Sequence, residues 1–162
     1  MGNVRYIGRV AAGLLVGLSA CDAGAPVRPA ATGTTHNQDR TRNHPVGTKM
    51  KATVGSTTFS ATLADNPAAA KLKAMLPLTL DMSELNGNEK FFRLPASLPA
   101  DAANPGTIRN GDLMLWGSDT LVLFYETFPT TYSYTRLGRI DDPAGLAAAV
   151  GSKSVTVKFD LE

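Results

Sequence analysis

Apolar residues are densest between Gly111 and Ile140, in GDLMLWGSDTLVLFYETFPTTYSYTRLGRI, and the pattern predicts three consecutive strands there. Asp112–Trp116 runs into a Gly117-Ser118-Asp119 turn, and Thr120–Glu126 follows with Leu121, Val122, Leu123, Phe124 and Tyr125 uninterrupted by a polar residue. An unbroken apolar run between turn signals suits a central strand covered on both faces. Tyr132–Ile140 returns with mixed alternation.

The chain ahead of this block alternates more cleanly. Met50, Ala52 and Val54 share one side of Lys49–Val54, Gly55-Ser56 turns the chain, and Phe59, Ala61 and Leu63 point inward from Thr57–Leu63, which is a β-hairpin pattern. Asn66 and Pro67 then supply a helix N-cap and first helical position for AAAKLKAML, and Pro77 stops it. Leu78–Met82 and Glu89–Leu94 read as strands around an Asn86-Gly87 turn. Ala96–Asn110, with Pro99, Pro105 and Gly106, reads as a long surface loop. After the central block, Asp142 is the expected cap and Pro143 the first residue of a second helix over Ala144–Val150. The adjacent carboxylates Asp141 and Asp142 thus have a structural reading at a helix N-terminus. Ser154–Leu161 closes the chain with Val155, Val157, Phe159 and Leu161 on one side. The pattern predicts a mainly β domain of about eight short strands and two short helices. Closing the sheet into a small barrel would remove exposed edges, and a sandwich remains open because strand order is not encoded in period two.

The first 47 residues carry a different pattern. Arg5 and Arg9 precede the apolar run Val10–Leu18, and Leu18-Ser19-Ala20-Cys21 ends it, as in a secretory signal. The run is too short for a finished membrane span. LSAC resembles the lipobox of bacterial lipoproteins, in which the cysteine is lipidated and becomes the new N-terminus. That resemblance makes residues 1–21 a signal segment with Cys21 as the lipidation site, and implies export and anchoring to a cell-envelope membrane. Acyl chains contribute about 0.8 kcal/mol per buried CH₂, so several hold a protein stably. In enterobacterial lipoproteins an aspartate after that cysteine, here Asp22, implies retention at the inner membrane. Residues 22–47 are rich in Ala, Gly, Pro, Thr, Asn and Arg without apolar periodicity, the composition of a disordered tether, and His36 and His44 within it read as solvated.

Composition narrows the chemistry. The 162 residues carry 16 basic and 14 acidic side chains. Five arginines and two aspartates precede Gly47, leaving 11 basic against 12 acidic in the domain, residues 48–162. A near-neutral domain lacks the basic stripe that nucleic acid requires. Cys21 is the single cysteine, and both histidines precede Gly47. The domain therefore has no Ser-His-Asp or Cys-His apparatus and no His or Cys to ligate haem or a transition metal, and we expect neither a metal nor a cofactor.

Four stretches, NGNEKFFRLP, PGTIRNGDLMLWGS, LVLFYETF and SYTRLGRIDDPAGL, resemble a bacterial group of cyclophilin-like domain proteins of unknown function. The resemblance runs from Thr48 to Glu162 and implies a small closed β-barrel. Leu137-Gly138-Arg139-Ile140 is similar to the Phe-Gly-Arg/Lys-Val of true peptidyl-prolyl isomerases, and Phe91-Phe92-Arg93-Leu94 to their Phe-His-Arg-Val. By that match Arg93 would be the catalytic arginine of a divergent isomerase. Phe92 replaces the motif's histidine, however, and the glutamine-containing segment and the later pocket histidine have no counterpart.

A binding site combines an apolar concave wall with a few polar groups. The candidates are Tyr125, Tyr132, Tyr134, Arg136 and Trp116, with Phe92 and Arg93 if their strand lines the same groove; of these Trp116 is expected in the core. Period two places Tyr132, Tyr134 and Arg136 on one face, a row suited to a peptide or an anionic small molecule. Glu89 and Glu126 would form a carboxylate pair only if the fold brought them together. The sequence thus predicts a lipid-anchored binding module without conventional catalytic residues, with the divergent isomerase as its alternative.

Overall fold

The structure is a computed structural model that describes residues 47–162. The expected signal segment, Cys21, the histidines and all of the tether except Gly47 lie outside the described residues.

Ten strands and two helices follow one another: β1 Lys49–Val54, β2 Thr57–Leu63, α1 Pro67–Lys73, β3 Leu78–Leu85, β4 Glu89–Arg93, β5 Thr107–Ile108, β6 Asp112–Trp116, β7 Thr120–Phe124, β8 Phe128–Pro129, β9 Thr135–Ile140, α2 Leu146–Val150 and β10 Val155–Leu161. Eight of the strands close an antiparallel barrel in the order β1-β10-β3-β4-β7-β6-β9-β2, and β5 pairs with β8 in a separate two-stranded sheet. The mainly β closed barrel is the expected fold, and it removes the sandwich alternative.

Alternation fills the barrel. Met50, Ala52 and Val54 of β1, Phe59, Ala61 and Leu63 of β2, Leu80 and Met82 of β3, Leu113 and Leu115 of β6, Leu121 and Leu123 of β7, and Val157 and Phe159 of β10 form one buried cluster. Ala68, Ala69 and Leu72 of α1 and Leu146 and Val150 of α2 belong to the same cluster. Helical side chains reach the interior of a closed barrel only through its open ends, so the helices cover them. Leu161, expected inward, is 44% exposed, because the last pairing of β10 falls at the rim opposite Met50.

Local chemistry sets the boundaries. The Asn66 side chain accepts the Ala69 N–H at 2.8 Å and Pro67 opens α1, as the sequence predicts. The helix stops at Lys73, short of the expected Leu76, because Met75 and Leu76 bond back three residues to Leu72 and Lys73 and tighten the last turn. β3 extends past Met82 to Leu85 because Asn86 (φ 58°) and Gly87 (φ 70°) make a tight hairpin turn into β4. α2 differs from expectation. Asp142 accepts the Ala144 N–H at 3.0 Å in a local turn, and Gly145 at φ 80° precedes the helix, so the helix begins two residues later, at Leu146.

Two departures shape the outer wall. The expected surface loop Ala96–Asn110 contains β5 and buries Leu98 and Ile108 against the barrel. The third strand of the central block begins at Thr135 rather than Tyr132, the stretch before it holding β8 and a single bridge between Tyr134 and Ala103. β9 also carries a bulge: Leu113 pairs with Gly138 and Met114 with Arg136, leaving Leu137 as the extra residue. The bulge resets the in-out order, so Leu137 and Ile140 both point inward, and this is the mixed alternation of the sequence.

Gly138 lies where β9 meets β2. A Cβ there would fall 2.5 Å from the Thr62 carbonyl oxygen and 3.1 Å from the Leu63 Cα, both backbone atoms that cannot step aside. Gly138→Ala therefore has to spread the β2–β9 seam that closes the barrel. Urea denaturation should show a loss of about 2 kcal/mol.

Candidate functional site

Strand β7 has two buried faces. Leu121, Leu123 and Tyr125 point into the barrel, whereas Val122 and Phe124 join Ile108 and Met114 in a second buried cluster outside it, flanked by Phe91, Phe128 and Tyr134. The β5–β8 ribbon and its neighbouring segments cover this outer cluster. Where that cover ends, a groove of about 470 Å³ opens along β4 and β7.

Aromatic side chains line it. The Trp116 ring meets Tyr132 edge-on at 5.5 Å between centroids and Tyr134 at 5.3 Å, and Tyr134 meets Phe124 at 5.5 Å and 90°. Phe91 and Val122 lie between, and Phe128 closes the far wall. Trp116, expected in the core, is 45% exposed: alternation on β6 sends Leu113 and Leu115 inward and Met114 and Trp116 outward, where the cover stops short of the tryptophan.

Among the described residues, the groove's one charged lining residue is Glu89. Its register partner is Phe124, whereas Trp116 pairs with Thr120, so the two positions are offset by four residues, roughly 13 Å, along the strands and by the two strand spacings from β4 across β7 to β6. Partial burial, and then the nearby Glu84 charge, push the Glu89 carboxyl up to about 7. Burial and the Glu89 charge also raise the Tyr134 phenol. Asn88 lines the same end, and its Oδ1 is buried without a hydrogen-bond partner. Sequence reading named Glu89 only as a conditional partner of Glu126 and passed over Asn88, because an acidic residue beside a turn carries no further hint. Glu126 does not line the groove, so no Glu89–Glu126 pair is formed within it.

The other predicted residues scatter. Tyr132 and Tyr134 line the groove together. Arg136 lies in a separate cleft of about 460 Å³, bounded by Asn66, Pro99, Asp101 and Tyr134, and its guanidinium is 3.4 Å from the buried Asp112 carboxylate. Phe92 packs against the barrel interior, whereas Arg93 projects to the other side of β4, 79% exposed, with Nε 2.8 Å from Asp119. The shared Phe92–Arg93 groove of the isomerase comparison is therefore not formed, since neighbouring residues on a strand face opposite ways.

Tyr125 is inside the barrel, where its hydroxyl bonds both Glu84 carboxylate oxygens, at 2.9 and 2.8 Å. Lys90, fully buried, pairs with Glu84 and donates to the Gly151 and Lys153 carbonyls at 2.7 Å each. Burial would raise the Glu84 carboxyl, but hydrogen bonds from Lys90, Tyr125 and the Gly87 N–H hold it below the usual carboxylate range. Burial first, and then the bond to Glu84, push the Tyr125 phenol up to about 12. With all three Lys90 N–H groups engaged, this cluster ties the β3–β4 hairpin to the segment between α2 and β10; it is a staple rather than a nucleophile.

The Glu89 shift has a direct signature. A carboxyl raised in the folded state contributes stability that is complete below its unfolded value of about 4.5 and is lost as pH rises through about 7. Carbon-detected NMR of the Glu89 carboxyl should show a midpoint near 7. In denaturation, Glu89→Gln should reduce the loss of stability between pH 5 and 8 by about 1–2 kcal/mol, after discounting for solvent screening.

Comparison with known proteins agrees with the architecture. No curated protein matches the chain. Among solved structures it is similar to a hypothetical protein from Archaeoglobus fulgidus, determined in solution, with a TM-score of 0.51 and 15% identity over 72% of this chain and 96% of that one. At that identity the likeness concerns the fold. The sequence model of the cyclophilin-like family matches residues 52–160, nearly the whole barrel from β1 to β10. The chain belongs to the cyclophilin-like family.

Proposed function

We propose that this protein is a lipid-anchored binding module of the bacterial cell envelope, whose cyclophilin-like domain takes a peptide or small molecule in the groove along β4 and β7. The observation that carries this reading is the row Tyr132, Trp116 and Tyr134 standing over Phe91 and Val122, an exposed aromatic wall around a concave space of about 470 Å³. Such a site offers large contact area at small entropic cost, with few polar groups to orient a ligand. Anchoring rests on the sequence: Arg5 and Arg9, the short apolar run and LSAC at Cys21, followed by a tether to residue 47. Binding rather than catalysis is favoured by the opposed directions of Phe92 and Arg93.

Three outcomes follow. Metabolic labelling with a fatty acid should mark the full chain, and Cys21→Ser should abolish the label and release the protein from the membrane fraction; a variant still membrane-bound would remove the anchor from the proposal. Trp116 is the single tryptophan, so its indole N–H resonance reports on the groove. In an NMR screen of aromatic fragments and short peptides, hits should move that resonance, and Trp116→Ala should weaken them about tenfold. Prolyl isomerisation of a proline peptide should proceed at the uncatalysed rate, tens of seconds, with wild type and Arg93→Ala alike.

A further inference from the structure

The groove's charge runs opposite to what its tyrosines suggested in the sequence. Arg136, the cation in the expected row, sits in the neighbouring cleft beside Asp112, and the charged side chain of the groove itself is Glu89. Unlike Glu84, which Lys90 neutralises inside the barrel, Glu89 has no ion-pair partner among the described residues. Beside it is the Asn88 Oδ1, a buried acceptor with no donor. This end of the groove therefore presents a carboxylate with no cation of the chain beside it among the described residues, and calls for N–H donors and positive charge. From there toward Trp116, roughly 13 Å along the strand direction, the groove is walled by Phe91, Val122, Tyr134 and the indole, with Thr120 at its end.

We infer that the ligand is an amphipathic organic ammonium ion, its protonated amine held by Glu89 beside Asn88 and its apolar body lying along the aromatic wall to Trp116. Charge complementarity selects the head group, since a half-buried carboxylate without a partner gains from a charge-assisted hydrogen bond. Aromatic faces tolerate a neighbouring cation and bury a hydrocarbon or ring, so the body needs no further polar partner. An anionic ligand would meet Glu89 and nothing to compensate it. A small molecule fits better than a protein surface, because the space is about 470 Å³ and one charged group marks one end of it.

The inference rests on the binding reading above, and one titration separates the two. Hexylammonium, hexanol and hexanoate, each added to the full chain at pH 8, share a body and differ in the head. Trp116 fluorescence reports the body of each, being the single tryptophan. The expected result is hexylammonium at least tenfold tighter than hexanol, with hexanoate weakest, and the ratio of ammonium to alcohol collapsing to within threefold in Glu89→Gln. A pH series on wild type gives an independent reading. Ammonium affinity should fall from pH 8 to 6 as Glu89 takes up its proton, while hexanol stays level. The titratable and charged groups around Glu89 are Glu84 of β3, Lys90 of its own strand on the inner face, Tyr134 before β9, and Glu126 and Tyr125 after β7. Of these, Glu84 is held ionised by its bonds and the tyrosines are raised, away from this range. Hexanol or hexanoate binding as tightly as the amine would overturn the ammonium inference and leave a binding groove. Silence of Trp116 to all three would overturn both.

Discussion

Strand β7 is buried from both sides, and the rest of the domain is arranged to make that possible. Its inner face needs a closed barrel around Leu121 and Leu123; its outer face needs a second cover over Val122 and Phe124. Each such side chain contributes about 1.5–3 kcal/mol only if water is excluded from it. The segments between β4 and β6 and between β7 and β9 supply that outer cover through Ile108, Phe128 and Tyr134. The groove is the margin of this cover. The same requirement that hides Phe124 leaves Trp116 and Tyr132 standing at the edge, where their faces are available to a ligand.

Strand β4 shows how one alternation separates two electrostatic tasks. Lys90 points inward to a Glu84 carboxylate and two carbonyls, so every donor on a fully buried ammonium is matched. Glu89, its chain neighbour, points outward into an aromatic setting with no donor, and its proton affinity rises accordingly. The inner pair fixes the hairpin that carries both residues, and so fixes where the outer carboxylate stands.

The repeating parts of this architecture were legible in the residues. Period two placed Met50, Ala52 and Val54, and Val157 and Phe159, on the core side, and the Asn66-Pro67 pair marked the start of α1. The run Leu121–Tyr125 announced a strand covered on both faces. Legibility failed wherever the answer depended on a partner far along the chain. Period two says that Trp116 and Leu115 face opposite ways, but not that the cover over Met114 ends before Trp116. Strand β9 starts only at Thr135, so Tyr132 and Tyr134 lie ahead of it and the row they were expected to share with Arg136 does not form. Nothing in the sequence marked Lys90, because the carbonyls that hold it, on Gly151 and Lys153, lie some sixty positions away.

The ring order has a mechanical consequence. β1 stands four places round the eight-stranded barrel from β7, diametrically across from it. Force applied at the start of β1 passes first through its hydrogen bonds to β2 and β10, a load path that bypasses β4, β7 and β6. Strand β1 and the groove thus occupy opposite walls of the barrel, and strain entering at β1 is spent in its own two seams before it reaches the strands that shape the groove.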